Sequence, residues 1–166
     1  MELIYHELTL GLHDRQQMAR IVIRLLAALI LGGLVGIQRE RTHKPAGLRT
    51  HILVCLGTAV FVISCGAAGM AFDAQSRVIQ GIVTGLGFIG AGSILKLSQE
   101  HEIKGLTTAA GLWMTAAIGV TVGLGALGIA IIATILTLII LAVATKFEKF
   151  VQKQRGASTD AGRTSR

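Results

Sequence analysis

The sequence predicts an all-α, polytopic membrane helix bundle with five transmembrane helices, and three observations carry that prediction. Hydrophobic residues make up 52% of the 166 positions, while charged residues make up only 15%. The charges gather at the edges of long apolar runs. Those runs have the length a bilayer asks for, about 20 residues for roughly 30 Å of hydrocarbon. So continuous an apolar content is foreign to an ordinary soluble domain.

Each span follows from a charge-free interval. Leu25 to Ile37 is short, and reaches span length when the helix starts near Met18 and Arg24 snorkels to the headgroups. His51 to Phe72 and Val78 to Leu95 are long enough unaided. Gly105 to Thr145 holds 41 residues without a formal charge, about two crossings, and Gly123-Leu124-Gly125 offers a turn near its middle. The expected spans are therefore about 18–38, 51–72, 78–96, 106–122 and 126–145, within a membrane domain of 18–146. Residues 1–17 are expected to form an outer segment, an interfacial helix with Leu3, Ile4, Leu8 and Leu12 near one face. Residues 147–166 are expected to be a basic cytoplasmic tail, disordered from Gln154 by its small, polar composition. Glu2, Glu7 and Asp14 argue against a cleaved signal peptide, so the first span is expected to remain.

Orientation follows from Lys and Arg. The loop 38–50, the loop 96–104 and the tail carry 4, 2 and 6 of them, and share one side when there are five spans. The other side has only Arg15, Arg20, Arg24 and Arg77. Twelve against four places the N-terminus outside and the C-terminus in the cytoplasm.

Several functions are set aside. The net charge of +7 suggests nucleic acid, but the basic residues are not interleaved with aromatics. Cys55 and Cys65 lie ten residues apart on one helix, about 15 Å along its axis, too far for a disulfide. There is no zinc pattern, and no cofactor is expected. Gly85-Leu86-Gly87-Phe88-Ile89-Gly90-Ala91-Gly92 satisfies GxGxxG but lacks the strand and the acid that a dinucleotide site needs. Lys104-Gly105-Leu106-Thr107-Thr108 lacks the upstream glycine of a phosphate loop, and capping is the simpler role for its threonines. No Asp or Glu lies within the spans to mark an ion route.

Three stretches remain as candidate sites. The richest is RERTHKPAGLRT at 39–50, where Pro45 stops a helix, Gly47 permits a reversal, and Arg39, Arg41, Lys44 and Arg49 exceed what a turn needs. Glu40 is expected to hold one arginine in a fixed fork, and Thr50 completes the loop. Its simpler reading is topology plus binding of anionic lipid headgroups. Asp73 and Arg77, four apart, form a candidate outer ion pair, or Asp73 neutralises Arg24. The third is a glycine-rich helix and turn: Gly85, Gly87, Gly90, Gly92, Gly105, Thr107 and Thr108.

Rows with a four-residue step place small residues on one helix face: Arg24, Ala28, Gly32, Gly36, Glu40; then Arg77, Gly81, Gly85; then Gly111, Thr115, Gly119, Gly123. Such faces let helices approach closely in lipid, within one chain or in a homo-oligomer. A faint repeat accompanies them, because Gly47-Leu48-Arg49-Thr50 and Gly105-Leu106-Thr107-Thr108 each open a span after a charged loop.

At these residues the sequence resembles the MgtC/SapB family of bacterial inner-membrane proteins. The matching pieces are GLVGIQRERTHKPAGLRTHILVCLGTAVF at 33–61, RVIQGIVTGLGFIGAGSIL at 77–95 and KGLTTAAGLWMTAAIGVTVGLG at 104–125. The family's characteristic residues fall on Arg39, Glu40, Lys44, Pro45, Ala46, Gly47, Leu48, Arg49 and Thr50, then on Arg77, Gly85, Gly87, Gly90, Gly92, Gly105, Leu106, Thr108 and Trp113. The resemblance implies a five-span bundle in the bacterial inner membrane and a link to magnesium homeostasis or stress adaptation. It further implies a non-enzymatic regulator acting through a membrane protein partner. Longer members add a soluble C-terminal domain, so this chain is expected to be a short member. The competing expectation is a small oligomeric ion transporter or channel with its path at the glycine-rich third span and the 105–108 turn.

Overall fold

The computed structural model describes Met1 and residues 15–97 and 102–161, with side-chain surroundings for 15–94 and 105–146. Most of the expected outer segment 1–17 lies outside the described residues. Five long helices run in order: α1 Arg15–Arg41, α2 Leu48–Ala67, α3 Phe72–Gly92, α4 Leu106–Gly123 and α5 Leu127–Ala161. A two-stranded antiparallel hairpin, β1 Leu95–Leu97 and β2 Glu102–Lys104, joins α3 to α4.

The helices alternate in direction, so the 42–47 loop, the hairpin and the Thr145–Lys146 part of α5 gather at one end. Two observations fix this: Arg39 reaches Thr108, and a groove at that end is lined by Arg41, Thr42, Thr145 and Lys146. The opposite end holds the start of α1 and the short turns that follow α2 and α4.

Three helices stop in the same way. After α2, Gly69 takes φ +66, its N–H reaches the Gly66 carbonyl, and Met70 N–H reaches Cys65 O. After α4, Gly125 takes φ +86 while Gly125 and Ala126 bond Val122 O and Thr121 O. This paired closure satisfies carbonyls that a helix end leaves open, and it needs a left-handed residue. After α1 the same closure uses His43 (φ +52), with His43 N–H on Glu40 O and Lys44 N–H on Arg39 O. Pro45 then follows one residue on, where the helix cannot resume.

The core is α1, α2 and α4. The most extensive contact is α1 with α2, followed by α2 with α4. Ala28, Val35, Cys55, Ala59, Ile118 and Val122 form its buried interior, joined by Ala130 and Leu141 of α5. The small-residue rows explain the closeness. A methyl added at Gly36 would stand 2.7 Å from Leu48 Cα, and one at Gly32 would stand 2.6 Å from Cys55 Cβ. From the other side, Gly123 meets Val62 and Ala59, and Gly119 meets Thr58 Oγ1 and the Cys55 carbonyl. Two glycine rows therefore clamp α2 at backbone contact, recovering dispersion where lipid offers no hydrophobic drive. Buried threonines cost little here because Thr58, Thr115 and Thr134 each donate to a carbonyl of their own helix.

Outside this core, the helices present a continuous apolar coat. Ile23, Leu26 and Ile30 on α1 and Ile132, Leu136, Ile139 and Ile140 on α5 are more than half exposed. In water such a surface is a liability; around a bundle it faces lipid. The chain is a membrane helix bundle.

Among the described residues four helices are long and apolar enough to cross a membrane: α1, α2, α4 and the Leu127–Lys146 part of α5. α3 matches them in length at 21 residues, but Asp73, Gln75, Arg77 and Gln80 lower its hydropathy. Three sequence expectations shift in detail. The apolar run 51–72 contains the turn at 68–71, the third helix ends at Gly92 with β1 occupying 95–97, and the backbone of the tail stays helical to Ala161. Charge-free intervals mark what lipid tolerates, not where hydrogen bonding stops.

Candidate functional site

The end of the core at the 42–47 loop holds a buried polar cluster. Arg39, the last buried residue of α1, is 2% exposed, and its Nη2 donates to Thr108 Oγ1 at 2.9 Å. Thr108, in the first turn of α4, is equally buried. His51, in the first turn of α2, is fully buried near them, and neither ring nitrogen has a protein hydrogen-bond partner. Gly111 of α4 lies beside its ring: an added Cβ there would stand 4.0 Å from Nε2, in ordinary contact. One charged side chain thus pins the start of α4 to the end of α1, across the helix that both clamp.

Glu40 acts differently from the fork expected of it. Its Oε2 accepts the Leu48 N–H at 2.7 Å, capping α2 from the end of α1. The helix lacks a side-chain cap of its own at Gly47, so an acid at its N-terminus satisfies a free N–H and meets the positive end of the dipole. Gly47 is the residue that permits this, because a Cβ there would overlap the Glu40 carboxylate. Expectation is likewise corrected for Thr108, which receives the Arg39 bond, while α4 has no side-chain cap hydrogen bond.

The remaining loop residues divide by exposure. Ala46 is buried, whereas Arg41, Pro45 and Arg49 are exposed and Lys44 and Thr50 are half-buried. The loop therefore has a bonded structural part (Arg39, Glu40, Gly47), of which only Arg39 is buried, and an exposed or half-buried basic part.

The glycine-rich stretch does not assemble as one site. Gly85, Gly87 and Gly92 face open space, and Gly90 alone touches α4, with an added Cβ 3.6 Å from that of Ala109. Gly105 takes φ +101 and lies against the Ser93 carbonyl, which closes the hairpin; Thr107 is exposed. The proposed outer pair does not form: Asp73 and Arg77 are both exposed and no ion pair joins them or ties Asp73 to Arg24. Arg24 instead donates from Nη1 to Gly123 O at 2.9 Å, holding the C-terminal end of α4. Among the described residues no group of three His, Cys, Asp or Glu side chains converges as a metal site would require.

Sequence reasoning missed His51, whose apolar neighbours disguise it within a span, and the Arg39–Thr108 contact, which joins residues 69 positions apart.

Apolar helices packed through glycine rows and pinned at one end by the buried Arg39 and at the other by the half-buried Arg24 define the class: a polytopic α-helical membrane protein. The chain belongs to the MgtC family, whose sequence model matches residues 25–150. It is 43% identical to SrpB of Synechococcus elongatus over 129 residues, which is 71% of each chain. It is 42% identical over 135 residues to YhiD of Escherichia coli K12, whose name proposes a magnesium transporter, covering 75% of this chain and 60% of that one. With MgtC of Salmonella typhimurium the identity is 42% over 127 residues, 76% of this chain and 53% of the relative. The match thus spans little more than half of MgtC. No solved structure matches.

Proposed function

We propose that this protein is a non-enzymatic regulator of the bacterial inner membrane that acts on magnesium homeostasis or stress adaptation by engaging a membrane protein partner. The observation that supports this reading is what the polar groups of the bundle are engaged with. Arg39, Thr108, Glu40 and Arg24 are bonded between helices, and the only acids among the described side chains, Glu40 and Asp73, are exposed. A magnesium path needs several oxygen ligands in succession along the interior. Glycine rows instead bring backbones together there, while the exposed basic loop and α3 offer surface to a partner.

In this reading all five helices cross the membrane, α3 being the least apolar, with the basic loops in the cytoplasm beside anionic headgroups. A cysteine placed at position 43 is then shielded from a membrane-impermeant thiol reagent in intact cells; labelling from outside contradicts the orientation. Purified protein in liposomes is expected to move neither magnesium nor protons, while Arg49→Ala removes a partner crosslinked in cells. Ion flux abolished by Gly90→Leu in a folded protein would establish the transporter reading instead.

A further inference from the structure

The end of the bundle opposite the 39–50 loop holds a cavity of about 450 Å³. Its polar wall comes from Gln17, Arg20 and Arg24 of α1 and Gln75 of α3, and Gly66 and Gly123 close it from α2 and α4. Gln17, Arg20 and Arg24 are spaced three and four apart, so they share one face of α1. Among the described residues no carboxylate stands on the wall. Asp73, the nearest acid along α3, is exposed and paired with neither arginine.

The two guanidiniums have unequal commitments. Arg24 is half-buried and anchored by its Nη1 bond to Gly123 O, which orients the rest of its fork. Arg20, one turn earlier, is exposed and makes no hydrogen bond or ion pair among the described residues. Two like charges one turn apart repel, and more so beside hydrocarbon than in water. An oxyanion between them removes that repulsion and uses the planar donor geometry that suits phosphate. The amides of Gln17 and Gln75 add neutral donors around the same space.

We propose that this cavity binds an oxyanion of the phosphate class, held by Arg20 and Arg24 together. It is independent of the basic cytoplasmic loops and of the regulator reading. Two sources carry this chemistry: the phosphodiester of a lipid headgroup in that leaflet, or free inorganic phosphate.

Two arms separate them, both on the full chain purified in detergent and freed of lipid. One titrates inorganic phosphate by calorimetry, and the other measures retention of phosphatidylglycerol by native mass spectrometry. Arg20→Gln is the main variant because it leaves the Arg24–Gly123 anchor intact; Arg24→Lys is the second. Lys146→Gln, at the other end, removes the same charge and serves as control. The expected result is binding in at least one arm, weakened roughly tenfold or more by Arg20→Gln and unchanged by Lys146→Gln. Binding in the first arm identifies the free anion, and binding only in the second identifies the headgroup. No binding in either arm, or binding that Arg20→Gln and Arg24→Lys leave unaltered, overturns the proposal.

Discussion

The small-residue rows of α1 and α4 and that of α3 follow the same spacing and have opposite fates. Gly32, Gly36, Gly119 and Gly123 press against the backbone or β-carbons of α2. Gly81 and Gly85, on α3, meet nothing within 4 Å. α3 buries Leu86 alone, packs chiefly on α4, and leaves an apolar groove of about 700 Å³ between itself and α2. A glycine row therefore states that a helix can be approached closely, not what approaches it. In this molecule two rows are spent on the interior and one remains on the surface.

That contrast is broken most severely by filling a committed row. Gly36→Leu drives a side chain into the Leu48 backbone, where neither partner can yield by a rotamer change. A loss of about 3 kcal/mol or more is expected, read as a fall in melting temperature or failure to fold in detergent. Thr108→Val comes next. It removes the 2.9 Å bond from Arg39 while keeping the shape, and is expected to cost about 1–2 kcal/mol. Glu40→Ala removes the cap on Leu48 and is expected to cost about 1 kcal/mol, leaving α4 unaffected. Smallest, and opposite in sign, is His43→Gly. It places at φ +52 the residue type that closes α2 and α4, and is expected to raise stability by up to about 1 kcal/mol. All four are checked by thermal melting of the purified protein.

Much of this was legible in advance, and the reasons are physical. Apolar run length revealed the bundle because lipid imposes it, and the spacing of Gly32, Gly36, Gly119 and Gly123 revealed faces for close approach. The turn at Gly123–Gly125 was legible from its glycines. What stayed hidden depends on three-dimensional neighbours. Nothing local distinguishes Gly85 from Gly119, since the difference is the presence of α2 across the gap. Glu40 read as an arginine partner because four basic residues surround it in sequence, whereas the folded loop brings the Leu48 N–H to it first. His43 gave no sign of a left-handed helix stop, a place usually filled by glycine. The hairpin at 95–104 escaped because strands of three residues carry too little alternation to show a period.

One added methyl group, placed in turn at two glycines, tests this division most directly. Alanine favours helix over glycine by up to about 1 kcal/mol wherever there is room for it. Gly85→Ala is expected to raise the melting temperature and Gly119→Ala to lower it, because only Gly119 lies against Thr58 and the Cys55 carbonyl. If the two substitutions shift melting in the same direction and by similar amounts, the separation of a clamped core from an open third helix is contradicted.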